Sequence, residues 1–191
     1  MTLFEYISIA TSLILSFSLA RTLTNLAPIF ASEHRYWVHS AWVLILLFTH
    51  ANLFWGIWLY KDVEAWTLVE FVILLIGPFM LLIGASLLVP IAAPPDYRIY
   101  FESIRTPFYA LLIVGSVQEV SLQYLVLDLP IIHPLRLSNL IIISAFVVGI
   151  VGRNRSIDLV LVCFFIFGVI SGIYVSNDHE AARALMESLR G

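Results

Sequence analysis

The segment 106-TPFYALLIVGSVQEVSLQYLVL-127 is apolar enough to dissolve in lipid except at its centre. There Gln118 and Glu119 stand side by side, and Gln123 follows one turn later. Whether this run crosses a bilayer decides the fold, and the rest of the chain answers it. Of 191 residues, 61% are hydrophobic and only 12% charged, and the mean hydropathy is +0.97. A soluble domain carries about a quarter charged residues. The composition is that of an integral membrane protein, and the fold class it implies is an all-α bundle of spans.

A bilayer core takes about 20 apolar residues in helix. The spans expected are Leu3–Ala27, Trp37–Tyr60, Trp66–Ile91, Thr106–Leu127, Leu137–Gly152 and Ile157–Val175. The fifth would reach only about 24 Å at 1.5 Å per residue, so it tilts less, begins earlier or inserts partially. No removable signal peptide is expected, since no basic region or small-residue cleavage site precedes Glu33. The net charge of -3 argues against a nucleic-acid surface. A single cysteine, Cys163, permits neither an internal disulfide nor a cysteine zinc site.

Between the third and fourth spans, Pro94-Pro95 and Asp96 announce a short helix. Its Tyr97, Tyr100, Phe101 and Ile104 recur at helical spacing, with Arg98, Glu102 and Arg105 elsewhere around it. That pattern predicts an amphipathic helix in the headgroup layer. A weaker amphipathic pattern occupies the C-terminal tail, residues 178–190. Thr2 with Glu5 and Thr67 with Glu70 read as capping boxes that satisfy the first backbone N–H groups of their helices.

The polar residues inside the spans carry the functional question. His50 lies as far beyond Trp37 as Glu119 lies beyond Thr106, on helices that start from the same side. Both therefore sit roughly 20 Å in. Gly77-Pro78 on the third span reaches that level, and Pro78 predicts a kink there. On the first span Ser12 and Ser16 lie nearest the same depth. Ser116, Glu119 and Gln123 share one stripe of the fourth helix, while Gln118 points about 100° away. An intramembrane carboxylate must find partners or water. A buried cluster of His50, Glu119, Gln123, Ser12 and Ser16 beside Pro78 is therefore expected, with Gln118, His39 and Arg21 secondary to it. Such a cluster serves either as an ion or ligand pathway or as a polar clasp that fixes packing.

His39 and His50, separated by about three helical turns, line one face of the second span. Bis-histidine haem ligation needs a second histidine-bearing helix. No other span has one, so only a dimer could supply it and no cofactor is expected. His39, close to Trp37, reads as interfacial. Gly168 and Gly172 form a GxxxG on the sixth span, which serves packing within the bundle or a homo-oligomer. No HExxH, GxSxG, GxGxxG or P-loop motif appears.

Phe4-Glu5-Tyr6-Ile7-Ser8, Leu19-Ala20-Arg21 with Leu23, Tyr36-Trp37-Val38-His39 with Trp42, His50 and Phe54-Trp55 carry a resemblance. Through its first three spans the chain resembles a family of small bacterial polytopic membrane proteins of unknown function. The resemblance implies a bacterial inner-membrane setting and a pattern that includes Glu5, Arg21, His39 and His50. It implies no activity. Three functions stay open: an ion or proton channel or transporter, a non-catalytic subunit or sensor that binds partner helices, and a haem or quinone redox protein.

Lys61, Arg136, Arg183 and Arg190 fall on the N-terminal side, against Arg21, Arg35, Arg98, Arg105, Arg153 and Arg155 on the other. The excess places both termini outside the cytoplasm. Reporter tags between Arg153 and Arg155 should read cytoplasmic and tags after Gly191 periplasmic; the reverse would invert the orientation.

Overall fold

The computed structural model describes residues 2–63, 65–130 and 133–177, and the C-terminal amphipathic tail expected at 178–190 lies outside them. The described residues are helical and carry no strand. In order they form α1 (Leu3–Thr24), α2 (Leu26–Ala31), α3 (Trp37–Gly56) with a 3-10 turn at Ile57–Tyr60, α4 (Leu68–Leu88), α5 (Tyr97–Leu125), α6 (Pro134–Gly152) and α7 (Arg155–Asn177). Four stretches are long and apolar enough to cross a membrane: Leu3–Ala31, Trp37–Tyr60, Leu68–Leu88 and Tyr97–Leu125. α6 begins ahead of the fifth expected span, at Pro134, and reaches 19 residues, about 28 Å.

The helix ends follow from local chemistry. Both capping boxes form, with Thr2 and Thr67 accepting from the backbone of Glu5 and Glu70 while those carboxylates accept in return. Asn25 separates α1 from α2, its side chain donating to the Arg21 carbonyl. Asp96 caps α5 through Arg98 and Ile99.

α5 corrects one expectation. The short headgroup helix and the fourth span form a single helix of 29 residues that runs through Pro107. Only one i→i−4 bond is lost there, and the proline sits on an exposed part of the helix. The amphipathic pattern is real but turns its apolar side to protein: Tyr97 and Phe101 are fully buried in the bundle, while Arg98 pairs with Glu102 in the open.

α4 packs between α1 and α5, α5 against α6, and α3 touches α1, α4 and α7. The main core lies where α3, α5 and α7 begin and α4 and α6 end. It is aromatic. The Trp42 ring meets Phe108 at 5.2 Å and Phe165 at 5.3 Å, and Phe146 stacks on Phe165 at 4.8 Å. Gly149 lets α6 approach, because a Cβ there would come within 2.9 Å of the Tyr109 ring. A much smaller cluster of Ile7, Leu74 and Leu122 sits toward the other end.

The C-terminus of α4 is the tightest junction. Pro90 has no N–H to offer the Ser86 carbonyl, and the chain turns away, so the last carbonyls of the helix lose their helical donors. Side chains from three other helices replace them. The Tyr100 hydroxyl donates to Leu87 at 2.6 Å, His39 Nε2–H to Leu88 at 2.7 Å and Arg21 Nη2 to Val89 at 3.2 Å. His39 is buried against Tyr97, Tyr100 and Phe101.

Tyr100→Phe strips one donor from a half-buried carbonyl and should lower stability in detergent by about 1–2 kcal/mol. In a Pro90→Ala background the same change should cost less, because the helix can then extend and Ile91 N–H can reach Leu87. Equal losses in both backgrounds, measured by denaturant titration, would show that the side-chain donor is not replacing a helical one.

Candidate functional site

The expected cluster of His50 and Glu119 does not assemble as one site. Each residue does stand the same distance before the last residue of its helix, Gly56 or Leu125, so the shared depth is consistent. They face different neighbours.

His50 is buried on α3 and both its ring nitrogens are used. Nδ1 lies 2.7 Å from the Leu46 carbonyl, which can only accept, so Nδ1 carries the proton. Nε2 then accepts from the Ser18 hydroxyl at 2.6 Å. Ser18 is fully buried on α1, and its own carbonyl accepts from Thr22. Sequence reasoning missed Ser18. It follows Ser16 by two and lies on the buried side of α1 with Thr11, Leu15 and Thr22.

Beside this tie, α1 and α3 leave a cavity of about 350 Å³, open on one side. Ser12, Leu15, Ser16 and Leu19 line it from α1, and Leu47, His50, Ala51 and Phe54 from α3. Three expected site residues, Ser12, Ser16 and His50, are thus brought together. The Ser16 hydroxyl donates to the Ser12 carbonyl at 2.7 Å. Among the described residues the Ser12 hydroxyl has no partner. No charged side chain lines the groove.

Glu119 and Gln123 stand at the α5–α6 seam instead. The Glu119 carboxylate accepts from Asn139 of α6 and from Gln123, the latter at 3.5 Å. Asn139 and Gln123 are buried, whereas Glu119 is exposed. The reason is geometric: α3 and α5 meet over little of their length, and α4 lies beside both. Gln118 occupies the space between them, its amide placed against Gly77, where an added Cβ would sit 3.4 Å from Oε1. Pro78 is buried inside an unbroken α4, so the Leu74 carbonyl lacks its i+4 donor.

Arg21 and His39 belong to the α4 terminus, away from this level. Gly168 meets nothing within 4 Å, so it is not a contact of this bundle; Gly172 lies in α7, but its surroundings are outside the described residues. His39 and His50 each spend Nε2 on a protein partner.

A buried ion pair was also missed. Arg105 of α5 and Asp158 of α7 approach to 3.0 Å at 6% and 4% side-chain exposure. The Tyr109 hydroxyl donates to the same Asp158 oxygen at 2.9 Å. The signal was an acid in the first turn of the sixth span and an arginine one turn before a tyrosine. Tyr36, in the turn before α3, is buried against Phe101. Burial, aided by the nearby Asp158 charge, pushes its phenol above the ordinary value.

Removing one partner of this pair should lower stability by about 3–5 kcal/mol, for Asp158→Asn or Arg105→Met alone. Arg105→Met with Asp158→Leu should lose less than either single change. A double-mutant cycle by denaturant titration checks this; additive losses would mean the two charges do not depend on each other.

No family model, no curated protein and no solved structure matches this chain.

Proposed function

We propose that this is a six-span integral membrane protein of the bacterial inner membrane that binds a lipid-phase molecule in the groove between α1 and α3. The four long apolar helices support the membrane assignment. α6 and α7 complete a bundle of alternating direction joined by short turns. One observation carries the ligand reading. The groove lies between two of the long apolar stretches, is open on one side, and among its polar groups Ser12, Ser16 and His50 leaves the Ser12 hydroxyl unpaired. A site reached from the side admits molecules dissolved in lipid.

A conducting path needs polar groups distributed along the membrane normal. Here His50, Ser12, Ser16, Gln118 and Glu119 share a level, and the aromatic core fills the bundle beyond it. The geometry therefore favours binding over conduction. A second reading, a subunit that binds partner helices, is favoured by the outer side of α7, where Gly168 and Phe167 are exposed. The mass of the protein in detergent separates the two.

The probe for the groove is a long-chain alcohol bearing a diazirine, delivered in phospholipid vesicles. Illumination should place its crosslinks in residues 12–19 and 47–54. Ala51→Trp should abolish them by filling the cavity. Ser12→Ala should weaken binding about fivefold, the worth of one neutral hydrogen bond. Crosslinks spread evenly over the outer surface and unchanged by Ala51→Trp would overturn the reading.

A further inference from the structure

Glu119 is the titratable group that the groove does not use. Among the described residues, the other carboxyls within helices have a partner that explains them. Glu5 and Glu70 close capping boxes, Glu102 pairs with Arg98, and Asp158 pairs with Arg105 and Tyr109. Glu119 meets only neutral donors, Asn139 and Gln123. Two amides can hold a carboxylate, but they do not cancel its charge.

We propose that Glu119 is a reversible proton-binding site within the span, and that its proton decides how the Gln123 amide is turned. With the carboxylate ionised, Asn139 and Gln123 Nε2 both donate to it. In that arrangement Gln123 Oε1 is buried without any partner, in a residue only 4% exposed. An orphaned buried carbonyl costs free energy until a donor arrives. Protonated Glu119 is such a donor. Its new O–H can be received by Gln123 Oε1 once the amide turns over, so the carbonyl gains a donor and Nε2 takes its former place. The carboxyl is reached from the outer face of the bundle, because Glu119 is exposed while its two partners are buried.

The other groups around the site are otherwise committed. From the turn after α3, Tyr60 lies within electrostatic reach of Glu119. His50 is held by Leu46 and Ser18, and Glu70 of α4 caps its own helix. At the start of α6, Arg136 donates to the Leu129 carbonyl and lies over the Tyr124 ring; His133, also buried there, is the remaining titratable neighbour.

The test is modification of the full chain in phospholipid vesicles by dicyclohexylcarbodiimide, read by intact mass and peptide mapping. The acid proton passes to one reagent nitrogen and the carboxyl oxygen adds to the central carbon. The acyl group then shifts to nitrogen, so the chain gains one whole reagent and nothing leaves. One adduct is expected, at Glu119, absent from Glu119→Gln and fading as the pH is raised. A water-soluble carbodiimide with a glycine ester should react far more slowly. Asn139→Leu removes a donor that favours the ionised form and should speed labelling at alkaline pH on the order of tenfold; Gln123→Leu provides the same comparison if that variant does not fold. No adduct at Glu119, labelling indifferent to pH, equal reaction with the water-soluble reagent, or rates unchanged in both amide variants would each overturn the proposal. It rests on these helices spanning the bilayer, and failure of that reading appears separately, as protein released from vesicles by alkaline carbonate.

Discussion

The C-terminus of α4 holds the bundle together more than any other single junction. A helix that ends inside a protein leaves carbonyls needing donors, and here the donors come from Arg21, His39 and Tyr100 of α1, α3 and α5. Pro90 makes the need permanent, because it removes an N–H that would otherwise continue the ladder. Three helices are thereby fixed in height relative to a fourth. Leu88 and Val89 are fully buried between them, and the Trp42, Phe101, Phe108 and Tyr109 rings pack in register around that point.

The bundle that results is unequal along its length. Toward this junction it is filled with aromatic rings and closed by the Arg105–Asp158 pair. Toward the N-terminal side the buried apolar cluster is smaller. Ser8 and Thr11 hydroxyls and Gln123 Oε1 are buried without partners. Native interiors leave few such atoms. Such atoms occur at the other end as well, among them Arg21 Nε, His39 Nδ1 and Trp42 Nε1 near the α4 junction.

Much of the architecture could be read from the residues. The apolar runs, both capping boxes and the Asp96 helix start are local signals, and each formed. The expected headgroup helix and fourth span are one helix, because the single bond lost at Pro107 does not stop a helix supported on its buried side. The direction in which each site residue faces was not legible. Counting from helix starts placed His50 and Glu119 at one level, but which neighbour each side chain meets depends on helix order around the bundle, and no periodicity encodes that. Arg21 reads in the sequence as secondary to the cluster, His39 as interfacial and Arg105 as part of the headgroup helix. Each is instead committed to a group far along the chain: Arg21 to the Val89 carbonyl, His39 to the Leu88 carbonyl and Arg105 to the Asp158 carboxylate.

The continuity of α5 gives the bundle a fixed dimension. Its 29 residues extend about 44 Å, against a hydrocarbon layer of about 30 Å. A rod that overshoots the layer meets it by tilting or by leaving an end outside, and the Arg98–Glu102 end is charged. Because α5 carries Tyr100 at one end and Glu119 near the other, a change in bilayer thickness that altered its tilt would move the α4 junction and the acid together. The helix holds these two polar contacts, 19 residues apart, at a fixed separation of about 28 Å.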